Sequence, residues 1–196
     1  MINENFIYLG AFIFSIGSIS YIIDTFKGKT KPNRVTFLLW AIAPLIAFFS
    51  EISQGVGLQS LLPFIVGFFP LLIFLASFVN KKAEWKITNF DITCGVLSLL
   101  GLFLWFVTKI GNIAIIFSIM ADGLAALPTL KKSYYYPETE NAWIYITGAI
   151  YAGITLLTIK TWNFPHYGFT IYLLLANIII ASLIKFDFKK SLKTGS

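Results

Sequence analysis

The 196-residue chain has one cysteine, Cys94, and one histidine, His166. A lone thiol excludes an intrachain disulfide, and one histidine far from one cysteine leaves no cluster able to hold a metal. Charge is scarce too: Asp, Glu, Lys and Arg make up 12% of the residues, about half the share in ordinary soluble domains. Neither the glycine-rich phosphate loop nor the dinucleotide-binding glycine fingerprint occurs. No grouping of nucleophile and base stands out, so neither an enzyme nor a cofactor is expected. The first apolar stretch has an acidic flank and no basic segment before it, which argues against a cleavable leader.

What the chain has in excess is apolar. Hydrophobic residues are 57% and aromatics 17%, where soluble proteins carry roughly 45–50% apolar residues. A soluble domain of this size cannot hide so much apolar surface, whereas lipid tails accept it. Seven stretches approach the ~20 residues of a helical crossing: Asn5–Asp24, Val35–Ser50, Leu58–Val79, Ile92–Val107, Ile110–Leu130, Trp143–Ile159 and Pro165–Ile184. The second, fourth and sixth are short and need little tilt. Short connections make the helices neighbours in one compact membrane domain. The expected fold is an all-α integral membrane protein with seven transmembrane helices.

Basic residues alternate between the two sides. Lys27, Lys29, Lys31 and Arg34 occupy the first connection and Lys81, Lys82 and Lys86 the third. Lys131 and Lys132 occupy the fifth, and Lys185, Lys189, Lys190 and Lys193 the C-terminal tail. The other side has only Lys109 and Lys160. The positive-inside rule then sets the N-terminus outside and the C-terminus in the cytoplasm, in a multi-pass protein of the cell membrane. The net charge of +6 is a topology signal, and no nucleic-acid partner is expected. No lysine lies deep in the seventh stretch, so a retinal Schiff base of rhodopsin type is not expected. Trp85, Trp162, Tyr134, Tyr135 and Tyr136 lie at stretch boundaries, where aromatic belts form.

The last three stretches read as a degenerate copy of the first three. Thr25-Phe26-Lys27 aligns with Thr129-Leu130-Lys131. One residue further, Pro32 meets Pro137, Trp40 meets Tyr145, Phe64 meets Phe169, and Ala76-Ser77 meets Ala181-Ser182. Two three-helix units with the same orientation need a linking helix between them, and Ile92–Val107 has no counterpart in the repeat. The expected organisation is a first triplet over 1–80, a linker helix over 81–109, and a second triplet with a cytoplasmic tail over 110–196. The triplets are related by an axis along the membrane normal.

The segment from Leu127-Pro128-Thr129 through Lys131-Lys132-Ser133-Tyr134-Tyr135-Tyr136-Pro137 to Glu138-Thr139-Glu140 resembles a PQ-loop. In that signature a Pro-Gln pair closes a helix, a basic and aromatic turn follows, and a Ser/Thr-Glu step enters the next helix. With the 3+1+3 plan, the whole chain resembles the PQ-loop and SWEET transporter superfamily. The resemblance implies a small-solute carrier working by alternating access, with its substrate between the two triplets. Thr129 replaces the Gln, and Asp24-Thr25 replaces the Pro-Gln pair of the first unit. SWEET-type sugar sites place an Asn on the third and the seventh helix; Asn177 fits the seventh, but its partner position is Leu72.

Asp122 is the one charged residue deep in a stretch. It lies nine residues from Lys131, about 14 Å along a helix, which is near the midplane of a hydrocarbon layer about 30 Å thick. A carboxylate there is costly and marks a solute or proton site. Asn177, eight residues from Lys185, and Ser18, nine from Lys27, reach the same depth. Trp40 and Tyr145 lie about two turns inside the cytoplasmic face, placed to stack on a substrate ring or to gate it. Pro44, Pro70 and Pro128 interrupt helix hydrogen bonding and, with Thr129 in the PQ-loop position, are the hinge candidates. The expectation is a small polar solute, with protons as a coupling ion, bound among Asp122, Asn177, Ser18, Trp40 and Tyr145. The alternative is a receptor, sensor or scaffold that keeps the fold without transporting. Oligomeric state has no signature in the sequence.

Overall fold

A computed structural model describes residues 2–53, 61–107, 111–160 and 162–186. Lys109, Lys189, Lys190 and Lys193 lie outside them. Among the described residues there are seven α-helices, two short 3-10 turns and no strand: α1 (Phe6–Phe26), α2 (Arg34–Ser53), α3 (Leu61–Ala76), α4 (Asn89–Val107), α5 (Gly111–Tyr135), α6 (Ala142–Thr158) and α7 (Phe164–Phe186). The turns cover Lys81–Ala83 and Pro137–Thr139. Each of the seven sequence stretches falls on one of these helices; residues 58–60 and 110 of the third and fifth lie outside the described residues. The second and fourth begin earlier than expected, because polar residues cap them ahead of their apolar runs. Asn33 Oδ1 accepts the Val35 N–H at 3.1 Å and the Thr36 N–H at 3.3 Å, which starts α2 before Val35. Thr88 and Asp91 bond reciprocally, side chain to backbone, at 2.7 and 3.3 Å, a capping box that starts α4 before Ile92. Asn141 caps α6 through the Trp143 N–H at 2.8 Å. Gly28 takes φ 70° after α1, a conformation that glycine adopts without steric cost.

α3 packs on both α1 and α2, and α7 packs on both α5 and α6. Between the two sets, α1 meets α6 and α2 meets α5. Exchanging α1–α3 for α5–α7 therefore reproduces every one of these pairings. α4 packs mainly on α5 and more lightly on α2, outside both triplets. Polar contacts gather the helix ends. Asn80 Nδ2 donates to the Phe26 carbonyl at 2.7 Å, Arg34 Nη2 donates to the Ser77 carbonyl at 2.8 Å, and Asn141 Nδ2 donates to Asp24 Oδ2 at 2.7 Å. Lys131 lies 4.6 Å from the Phe90 ring centroid and Lys185 5.5 Å from that of Trp143. These contacts bring the first, third and fifth connections and the end of α7 to one basic end. At the opposite end the Ile2 N–H meets the Leu157 carbonyl at 3.0 Å and Glu4 pairs with Lys160 at 3.7 Å. Helices α1, α3, α5 and α7 thus run toward the basic end, and α2, α4 and α6 run away from it. The two triplets have the same orientation.

The buried core centres on Tyr21, Phe37, Ile73, Tyr145, Tyr151 and Ile180. Outside it, large apolar side chains are exposed along α1 (Phe12, Ile16, Ile19), α4 (Leu99, Phe103, Phe106) and α7 (Leu175, Ile178, Ile179). Taken singly, two segments among the described residues have the length and hydropathy of a membrane crossing, Phe6–Phe26 and His166–Phe186. Arg34–Leu45, Leu61–Ala76, Asn89–Leu104 and Ala142–Thr158 are apolar but shorter.

Candidate functional site

A cavity of about 80 Å³ lies between the triplets, walled by α1, α2, α3, α5, α6 and α7. A second space of about 280 Å³ adjoins it, walled by α2, α3, α4, α5 and α7. Asp122, Leu62, Val66 and Leu173 border both. Even the smaller has room for several waters, at about 10–15 Å³ of such volume each. Asp122 is the twelfth residue of the 25 in α5, so the site lies at mid-helix.

Four of the five expected binding residues line the smaller cavity: Asp122, Asn177, Trp40 and Tyr145. Asp122 Oδ2 accepts from the Tyr172 hydroxyl at 2.7 Å. The Trp40 indole N–H faces the same carboxylate but does not reach hydrogen-bonding geometry and is left without a partner. Asn177 donates to the Leu173 carbonyl of its own helix at 2.9 Å. Its amide lies on the bare backbone of Gly148, where a Cβ would come within 2.7 Å of Oδ1. Ser18 is the exception. It is fully buried, its hydroxyl has no partner, and it does not reach the cavity. Phe14, one turn further from the basic end, takes that place on α1.

The hinge candidates separate. Pro70 lines the smaller cavity and Pro44 the larger, and each sits inside a continuous helix. A proline leaves the carbonyl four residues earlier without its helical donor. Those carbonyls belong to Trp40 and Val66, whose side chains are on the cavity wall. Pro128 and Thr129 lie buried in α5 away from both spaces; the Thr129 hydroxyl has no partner.

Tyr151 and Tyr172 were not anticipated. Tyr151 lines the cavity, is 2% exposed, and its hydroxyl is unpartnered. A second unanticipated group lies toward the basic end. Lys132 is not the solvated topology residue that its position suggests: it is 2% exposed, and its ammonium meets Glu140 Oε1 at 2.6 Å. It also donates to the Lys31 carbonyl and, at 3.3 Å, to the Thr139 carbonyl, and lies 5.0 Å from the Trp85 ring centroid. Glu140 Oε2 accepts from the Tyr21 hydroxyl at 2.8 Å and from the Tyr145 hydroxyl at 3.3 Å. Burial pulls the Lys132 ammonium below its ordinary pKa, and the Glu140 carboxylate opposes that pull. The network joins Tyr21 and Lys31 of the first triplet to Lys132, Glu140 and Tyr145 of the second. Tyr145 belongs to both groups: its ring walls the cavity and its hydroxyl reaches the ion pair.

Among the described residues no group of three His, Cys, Asp or Glu side chains is placed to hold a metal. No family model, curated protein or solved structure matches the chain.

Proposed function

We propose that the chain is a membrane transporter on the SWEET-like plan, moving a small polar solute by alternating access. One observation carries this reading. Asp122 is a carboxylate at mid-helix, bordering two cavities between like-oriented triplets, with no cationic partner among the described residues. Acids at such depth are expensive and seldom idle. The apolar faces of α1, α4 and α7 support a lipid setting, since soluble monomers rarely expose contiguous apolar patches of that extent. With all the described basic residues except Lys160 at one end, that end is cytoplasmic and the N-terminus is outside. The Lys132–Glu140–Tyr21–Tyr145 network closes the cytoplasmic side, and exchange requires it to part. Protons are the expected coupling ion at Asp122, so Asp122→Asn removes any pH-driven component of uptake.

The decisive experiment reports access from both sides. Thr155 lines the cavity, and Cys94 is buried in α4. Thr155→Cys in a Cys94→Ala background, reconstituted in one orientation, reacts with an impermeant maleimide applied from either face if the protein is a carrier. Reaction from one face only refutes transport. The second reading, a receptor or scaffold on the same fold, draws on the Tyr172 bond, which already satisfies one oxygen of Asp122; it predicts that one-sided result.

A further inference from the structure

Resting on the transport reading, we infer that the solute is a small organic cation with an apolar body, its charge on Asp122 and its body among aromatic rings. Among the described residues, the wall of the smaller cavity contains Asp122 and no Lys, Arg or His. A solute carrying a negative charge would meet only the like charge of Asp122. A sugar or other polyol needs a partner for each hydroxyl it takes out of water, and this wall is dominated by apolar and aromatic side chains. What it supplies instead is ring surface: Phe14, Phe37, Trp40, Tyr145 and Tyr151. Aromatic faces attract cations by their quadrupole, most strongly when water is excluded, and tryptophan is the best of them. Asp122 Oδ2 is taken by Tyr172, the Trp40 indole N–H that faces the carboxylate falls short of hydrogen-bonding geometry, and no described cation pairs with it. One uncompensated negative charge inside a ring-lined space calls for a single positive charge, and none of the described residues brings one there.

Two polar groups on the same wall remain unpartnered, the Trp40 indole N–H and the Tyr151 hydroxyl. Tyr151 is 2% exposed, so bulk water does not satisfy it. A cation with one hydroxyl or carbonyl on its body would give these donors an acceptor. Asn177, lying on Gly148, closes the wall on the α6–α7 side. The adjoining space beyond Leu62 and Val66 is where a longer body would extend.

The test uses matched pairs that differ in charge and little else: choline against 3,3-dimethylbutan-1-ol, and 1-methylnicotinamide against nicotinamide. Glucose and sodium chloride are controls. Purified wild-type protein is titrated with each by thermal shift, and the binders are then followed as labelled solutes into proteoliposomes. At least one cation is expected to bind about tenfold or more tightly than its neutral partner, the size of a desolvated cation–aromatic contact. Asp122→Asn and, independently, Trp40→Leu are expected to erase most of that ratio; two variants are used so that misfolding of one leaves the other. Equal binding of charged and neutral partners, or binding by no cation, overturns the inference. So does uptake of glucose without cation binding, which would leave the transport reading intact. Asp122-dependent cation binding with no flux would do the reverse, sustaining the ligand class and refuting transport.

Discussion

Replacing Glu140 by Gln removes one charge from a pair whose side chains are 1% and 0% exposed. The shape is kept, and the amide oxygen can still accept from Tyr21 and Tyr145. What is lost is the counter-charge of Lys132, whose ammonium then has only the Lys31 and Thr139 carbonyls and the Trp85 ring. Removing one partner of a buried pair costs about 3–5 kcal/mol. Lys132 has an escape that caps this cost. It can fold as the neutral amine, at about 1.4 kcal/mol for each pH unit below an ordinary lysine pKa of about 10.4. At pH 7.5 that ceiling is about 4 kcal/mol, so a loss of about 3–4 kcal/mol is expected. For a chain of this size that is roughly 6–16 °C of melting temperature.

The same route fixes the sign of the pH dependence. Burial lowers the folded pKa of Lys132 below its unfolded value. Between the two values the unfolded chain binds more protons, so stability rises with pH. Without Glu140 to oppose the shift, the window widens and the slope steepens. From pH 7.5 to 9.5 the Glu140→Gln deficit should therefore shrink, by up to about 1.4 kcal/mol per unit. Lys132→Met should cost less, because the carboxylate it strands keeps two tyrosine donors. Thermal unfolding in detergent across that pH range measures all three quantities. A deficit under about 1 kcal/mol, or one that is flat with pH, would refute the buried pair.

Three further outcomes follow from other contacts. Gly17→Ala places a Cβ 2.9 Å from the Trp143 carbonyl, and backbone yields less than a side chain, so the α1–α6 contact should loosen at about 1–3 kcal/mol, read as a lower melting temperature. Tyr172→Phe deletes the 2.7 Å bond to Asp122; loss of a bond to a charged acceptor should cost about 1.5–3 kcal/mol, and no change would mean that the carboxylate is satisfied elsewhere. Tyr145→Phe keeps the ring on the cavity and cuts a long 3.3 Å bond to Glu140. On the transport reading it should leave solute affinity within about threefold while raising maleimide labelling of Thr155→Cys from the side of the basic end; unchanged labelling would deny that Tyr145 links the cavity to the closure.

Much of the helical plan was legible because its signals are local. Apolar runs and basic connections give the number and sense of the helices, and a fixed rise per residue gives the mid-helix position of Asp122. The starts of α2 and α4 lie one and three residues ahead of their apolar runs because polar caps at Asn33 and Thr88 begin the helices there. Depth counting picks Ser18 on α1, but the residue that lines the cavity is Phe14, one turn away, and Ser18 is buried outside it. Lys132 was misread for a different reason. A rule that counts cations by connection treats each as solvated, and nothing local to Lys132 says otherwise. Its burial depends on Glu140 beyond the Pro137–Thr139 turn and on Tyr21, which is 119 residues from Glu140 in sequence. Tyr172 was missed on similar grounds, since only the packing of α5 on α7 brings it to Asp122.

A chain so poor in charge that still buries an ion pair of its second half against Tyr21 and Lys31 of the first gains little stability by it, since well-packed apolar residues often serve as well or better. The pair differs from such residues in what happens on opening. If the basic end parts, as the transport reading requires, both charges regain water, and that hydration offsets much of the contact energy given up. Apolar side chains would instead be exposed at further cost. The ion pair therefore keeps the closed and open states close in free energy, which an exchange between them needs. Replacing both Lys132 and Glu140 by Met should on this argument leave the melting temperature near that of the wild type, or lower it only by what the stranded Tyr21 and Tyr145 hydroxyls cost. It should slow cytoplasmic labelling of Thr155→Cys at least tenfold, the effect of about 1.4 kcal/mol between the two states. A double variant that labels as fast as the wild type would mean that this network braces the bundle without gating it.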